Sequence, residues 1–258
     1  MAAHQQHAVL SCEAHIVAMM RKFPDSASVQ KWGARASSCS MHDMAHLAAE
    51  RKLSRAGACE AMIAALVQHS LDASVQEAAI SVAISLLCGS ASNGRKMKAA
   101  GLCHLVVAAM RAHAAHSGVQ KTVCSVLCAV TSLAPVFTRR DALKFSTTGG
   151  ARALVAVMNA HVFDGSVQQA SAQVLMDLAN KDDTNAISMQ FVAAGAGAAL
   201  ATAIRLVHRY HQGPLDAVAC LACMVRCRGA AGSGRCSRGS AGGCVRQHPL
   251  AHCCKHVF

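Results

Sequence analysis

Aromatic side chains are nearly missing from this chain: six Phe, one Trp and one Tyr make up 3% of its 258 residues. A lone Trp and a lone Tyr leave little on which successive nucleotide bases could stack, which disfavours a single-strand nucleic-acid platform. Proline is also scarce, with four in the chain, so long helices are rarely interrupted. Acidic residues are outnumbered, 13 against 25 Lys and Arg, for a formal charge of +12. No Asn-x-Ser/Thr acceptor occurs, and no continuous apolar stretch follows a basic start. The uncharged stretch from Thr122 to Thr138 contains Pro135 and falls short of the ~20 residues that span a bilayer. Neither secretion nor membrane insertion is expected, and no targeting segment is visible.

Small apolar residues are what the chain has in plenty. The apolar share is 53%, much of it Ala, which loses no side-chain entropy in a helix and lets helices pack in close layers. The 14 Cys do not read as a disulfide framework. Cys59, Cys88, Cys103, Cys124, Cys128, Cys220 and Cys223 fall inside apolar helical patterns, where a thiol acts as a small hydrophobe. That usage fits a reducing compartment, cytoplasmic or nuclear.

The ordering principle is a repeat. Val-Gln recurs at Val29-Gln30, Val75-Gln76, Val119-Gln120 and Val167-Gln168, in steps of 46, 44 and 48 residues. Eighteen residues before each Val stands Ser11, Gly57, Gly101 or Gly149. A period close to 40–47 residues is the mark of stacked helical repeats sharing one core. After the Gly comes an apolar helix: Ala61, Met62, Ile63, Leu66 and Val67, then Leu105, Val106, Val107 and Met110, then Leu154, Val155, Val157 and Met158. Their three- and four-residue steps predict a buried helical face. Polar turns beginning at His69, His113 and His161 follow, with Ser74 and Ser166 as expected N-caps. Val-Gln then opens a longer helix, buried through Val75, Ala79, Val82, Ala83 and Leu86 and their equivalents. A short basic helix such as 93–100 leads to the next Gly.

The stretch from Asn93 through Gly101 and Met110 to Val119-Gln120 and Leu133 resembles an armadillo repeat. The resemblance covers 8–225 as five repeats: 8–40, 41–90, 91–134, 135–180 and 181–225. The first has Ser11 at the Gly position. The fifth has Gly195 or Gly197 at the Gly position and Pro214-Leu215 where Val-Gln belongs. The resemblance implies an all-α fold, a right-handed α-solenoid of three-helix repeats, that binds extended peptides or partner domains in a groove lined by the third helices. Import-type members carry a Trp six residues after the Val and an Asn ten after it. Those positions here hold Arg35 and Cys39, Ser81 and Ser85, Ser125 and Ala129, and Gln173 and Asp177. Without that ladder, recognition of nuclear-import peptides is not expected. The expected contact surface is Trp32, Arg35, Ser81, Ser85, Ser125, Gln173 and Asp177, with a protein or peptide as the partner.

Residues 226–258 form a Gly-, Cys- and Arg-rich tail with six Lys/Arg and no acid. Its low complexity predicts disorder. It suggests two alternatives: polyanion binding through its charge, and a zinc site built from Cys220-Leu-Ala-Cys223 with the Cys and His that follow. Gly229 to Cys236 nearly matches a phosphate loop. However, Arg235 and Cys236 replace the Lys and hydroxyl residue, and no strand precedes it. No spacing links a Cys–His nucleophile pair. No catalytic residue, cofactor or metal is therefore assigned. Val218, Leu221, Met224 and Val225 end the array with an apolar face. A solenoid normally shields its last layer, so self-association or further repeats are expected there.

Overall fold

The computed structural model describes residues 12–41, 46–132, 136–181 and 186–210. Ser11, Pro214-Leu215, Cys220, Cys223, the terminal apolar face and the whole 226–258 tail lie outside them. Among the described residues every regular element is helical. The chain divides into two compact units, 1–102 and 103–258.

The first unit holds α1 (Cys12–Lys22), α2 (Ala27–Ser40), α3 (His46–Ala56), α4 (Ala58–Gln68), α5 (Ala73–Gly89) and α6 (Ala91–Ala99). Helix α1 packs on α2 and α4 on α5, and the two longer helices α2 and α5 lie against each other. The second unit holds α8 (Ser117–Ser132), α9 (Arg139–Phe145), a kinked turn (Ser146–Gly150), α10 (Ala151–Ala160), α11 (Gly165–Ala179), α12 (Ala186–Ala193) and α13 (Ala196–Tyr210). Helix α7 (Leu102–Ala112) starts one residue before the division. In this unit α8 packs against α11, and α10 lies between α11 and α13.

The anchors mark where the backbone must turn. Gly57, Gly101, Gly149 and Gly195 all have φ between 86° and 96°, a region that a side chain makes costly. Gly195, not Gly197, therefore takes the backbone position that Gly57, Gly101 and Gly149 hold. At Gly57 the turn is also closed from above: the Arg21 guanidinium donates to the Gly57 carbonyl at 3.2 Å and occupies the space a Cβ would need. Arg111 repeats the arrangement at Gly149, donating to the Thr148 and Gly149 carbonyls at 3.4 Å each.

The Gln of each Val-Gln pair explains the strict phase. Gln30 Nε2 donates to the Met20 and Phe23 carbonyls at 2.8 and 2.9 Å. Gln76 does the same to Leu66 and His69 at 2.8 and 3.0 Å. Gln120 reaches Met110 and His113 at 3.0 and 2.7 Å, and Gln168 reaches Met158 and His161 at 2.6 and 2.8 Å. Each amide ties down the unsatisfied carbonyls at the end of the preceding helix, always ten and seven residues back. The Gly and the Gln are accordingly 19 positions apart in Gly57–Gln76, Gly101–Gln120 and Gly149–Gln168 alike. Variation in repeat length falls between the Gln and the next Gly.

Several sequence expectations need correction. Asp72 and Asp164 are the N-caps of α5 and α11, not Ser74 and Ser166, which start two positions inside the helix and donate their hydroxyls to the capping carboxylates at 2.7 Å. Ser26 caps α2, and His116 Nδ1 accepts from Val119 N at 3.2 Å, so the cap always sits four residues before the Gln. Helix α6 begins at Ala91. Asn93 is inside it and buried, donating to the Glu50 carboxylate at 2.5 Å. Val67 is 58% exposed because it lies on the outer side of α4, opposite Met62, Ala65 and Leu66. Cys88 is exposed, whereas Cys59, Cys124 and Cys128 are buried as expected.

Candidate interaction surface

Of the residues six and ten positions after each Val, Arg35 and Cys39 are exposed, Ser81, Ser85, Ser125, Gln173 and Asp177 are half-buried, and Ala129 is buried. On α5, Ser81 and Ser85 are half-buried while Val82, Ala83 and Leu86 are fully enclosed. On α2, Arg35 and Cys39 are exposed and Trp32 is 60% exposed. In the first unit, packing of α2 against α5 places two of these flanks on neighbouring helices.

Trp32 and Arg35 come together: the Arg35 guanidinium carbon lies 5.3 Å from the ring centroid. Lys31 Nζ lies 5.6 Å from it. Sequence reasoning missed Lys31 because it chose only positions equivalent to the family's ladder. Both distances are within reach of cation–π attraction.

In the second unit the corresponding flanks behave differently. Ser125 donates to the Lys121 carbonyl of its own helix at 3.0 Å. Gln173 donates to Asp177 Oδ1 at 2.9 Å, and Thr131 of α8 donates to Asp177 Oδ2 at 3.1 Å. Asp177 is thus a link between α8 and α11. Burial raises its pKa above the ordinary carboxylate value, although hydrogen bonds from Gln173 and Thr131 and the charge of Lys181 pull the other way. Thr131 was not anticipated, since it lies beyond the positions the repeat singled out.

Two further residues hold repeats together. His69 Nε2 lies 2.8 Å from the Pro24 carbonyl in the first unit, and His161 Nε2 lies 2.7 Å from the Ala114 carbonyl in the second. Each His bridges to the turn of the preceding repeat. The signal was present in the turns that begin with His, seven residues before the Gln, but a single sequence does not say which carbonyl such a ring would meet.

Two of the buried thiols, Cys59 and Cys124, are held protonated. Burial pushes Cys59 up to about 11, with Glu60 adding to the effect. Burial likewise pushes Cys124 to about 11, against a hydrogen-bonding contact with Ser171. A thiol so raised carries almost no thiolate at neutral pH, and thiolate is the nucleophile and the metal ligand. Among the described residues no three His, Cys, Asp or Glu converge to hold a metal ion. No single described helix is long and apolar enough to cross a membrane.

No family model and no curated protein matches the chain. In fold it is similar to an engineered protein solved as a crystal structure by the Northeast Structural Genomics Consortium, with a TM-score of 0.52 and 18% identity over 83% of this chain and 98% of that one. At that identity the likeness speaks to fold alone, and the fold is a helical one built from repeated parts.

Proposed function

We propose that the chain is a non-catalytic protein-interaction scaffold, a right-handed armadillo-type solenoid that binds a peptide or partner domain along its third helices. One observation carries this reading. The recurring Gln amide holds every third helix at the same phase relative to its second helix, so equivalent flanks recur along the chain. Neighbouring α2 and α5 in the first unit, and neighbouring α8 and α11 in the second, each then present repeated positions to an extended ligand. Affinity would be the sum of several modest contacts, which suits a repeat surface better than a closed pocket. The protonated thiols of Cys59 and Cys124 and the internally bonded Gln173, Asp177 and Thr131 support a role other than catalysis.

Hydrogen exchange of the full chain with peptides selected from a random display library tests the reading. Protection should concentrate on α2, α5, α8 and α11. Protection confined to α3, α6, α9 and α12 would refute it. Small-angle scattering should give an elongated particle, and a compact sphere would remove the solenoid. A polyanion partner is the second reading, favoured by the exposed Arg51, Arg55, Arg95 and Lys96 on the short helices α3 and α6. Binding that falls steeply with salt and maps to those residues would favour it.

A further inference from the structure

The cluster on α2 has no structural purpose that the fold reveals. Helix α2 contains no acidic residue, yet Lys31 and Arg35 stand four positions apart, where like charges repel and weaken a helix. Both lie beside the chain's single Trp, which leaves more than half of its surface in water. Among the described residues the ion pair within 4 Å is Lys52 with Glu13, so neither cation of the cluster is neutralised there. Glu77 on α5 holds the repeat position equivalent to Lys31 but forms no such pair with it. Exposed aromatic and Arg side chains in one place are the composition of an interface anchor.

We propose that Lys31, Trp32 and Arg35 anchor an acidic peptide segment, which rests on the scaffold reading and names the chemistry of its partner. The planar guanidinium of Arg35 matches a carboxylate with two parallel hydrogen bonds, and Lys31 adds a second cation without fixed geometry. The indole face takes a neighbouring apolar side chain or peptide plane of the ligand. The positive charge is local. The next flank, on α5, offers the hydroxyls of Ser81 and Ser85 and the carboxylate of Glu77 instead of further cations. A nucleic-acid backbone needs a continuing row of cations, whereas one or two carboxylates need only this cluster. The chain has no further Trp, so the anchor is confined to α2.

Because Trp32 is the chain's one Trp, its emission reports this position alone. The full chain is panned against a random peptide library, and the enriched peptides are titrated against Trp32 fluorescence, beside a twelve-residue oligo-glutamate, an oligo-lysine of equal length and a twelve-nucleotide single-stranded DNA. The proposal expects enriched peptides rich in Asp and Glu, saturable quenching by them and by oligo-glutamate, and none by oligo-lysine. The double variant Lys31→Glu/Arg35→Glu should weaken binding by about tenfold or more, with helical circular dichroism unchanged because Arg35 is exposed and Lys31 only part-buried. Arg35→Lys should recover part of the loss. Enriched peptides without acidic residues, or acidic ones that leave Trp32 emission and the charge-reversed variant's affinity unaltered, would overturn the anchor and leave the scaffold standing. Quenching by the DNA at lower concentration than by any peptide would also overturn it. Failure to enrich any peptide would remove the scaffold reading itself, and this proposal with it.

Discussion

Replacing Gln76 by Met tests the physical basis of the repeat. The Gln76 side chain is buried, with 2% of its surface exposed, and its amide donates to the Leu66 and His69 carbonyls. Methionine has nearly the same length but no donor. The Leu66 carbonyl then loses a partner in a buried setting, and the His69 carbonyl in a partly buried one. Leaving a buried acceptor unsatisfied costs about 1–3 kcal/mol. Water reaches the His69 carbonyl in part, so the pair together should amount to about 2–4 kcal/mol, offset by roughly 1 kcal/mol of additional apolar burial. The net loss of about 1–3 kcal/mol corresponds to a fall of about 1 M in urea midpoint at a slope near 2 kcal/mol/M. Urea melts followed by helical circular dichroism measure it. Gln76→Glu should be worse at pH 7, since a carboxylate would face two acceptors, and the gap between Glu and Met should narrow as the pH falls. Gln120 and Gln168 sharpen the comparison. Their Oε1 atoms are buried without a partner, so Met at either position also removes an existing penalty and should be milder by about 1 kcal/mol. If Gln76→Met melts within about 0.3 M of the parent, the bonding account of the repeat phase is wrong.

Gly57→Ala should destabilise by about 1–3 kcal/mol in the same assay, combining a positive φ with displacement of Arg21, and pairing it with Arg21→Ala should give less than the sum of the two single losses. Asp72 has its carboxylate pKa lowered by the Ser74 hydroxyl and by the amides of Val75 and Ser74, so its stabilisation is complete above the unfolded value near 3.9 and disappears as pH falls through the lower folded value. Thermal melts of Asp72→Ala should show a loss of about 1 kcal/mol at pH 7 that vanishes near pH 2. Asp177 has the opposite sign: its raised folded pKa means that ionisation opposes folding above the ordinary carboxylate range, so Asp177→Asn should melt no lower than the parent at pH 7 and lose any advantage under acid. Iodoacetamide followed by peptide mass spectrometry should label exposed Cys12 and Cys39 well before Cys59 and Cys124, whose rise from 9.0 to about 11 lowers the thiolate fraction roughly 100-fold; equal rates would contradict their burial.

Much of the local plan was legible in the chain. The positions needing positive φ were marked by Gly57, Gly101 and Gly149, because few other residues tolerate that backbone. Buried faces on α5, α8, α10 and α11 followed from three- and four-residue spacing. The N-caps were misjudged because Ser and Asp both qualify chemically, and two residues of phase decide between Asp72 and Ser74. Val67 and Cys88 were misjudged because apolar identity does not say which side of a helix is covered. The candidate surface was partly legible. The flank positions were found by counting from Val, but Lys31 and the Thr131–Asp177 link depend on neighbours that counting does not supply.

Helical character, repeat phase and turn positions were written into the amino-acid order, because all three arise from interactions within about 20 residues: hydrogen bonds along a helix, a glycine's backbone freedom, a glutamine reaching back ten positions. The partners of His69, Arg21, Asn93 and Asp177 come from 36 to 46 residues away. They were settled only when one repeat packed on another, since a side chain's environment at that range depends on which helices become neighbours and not on the spacing within either.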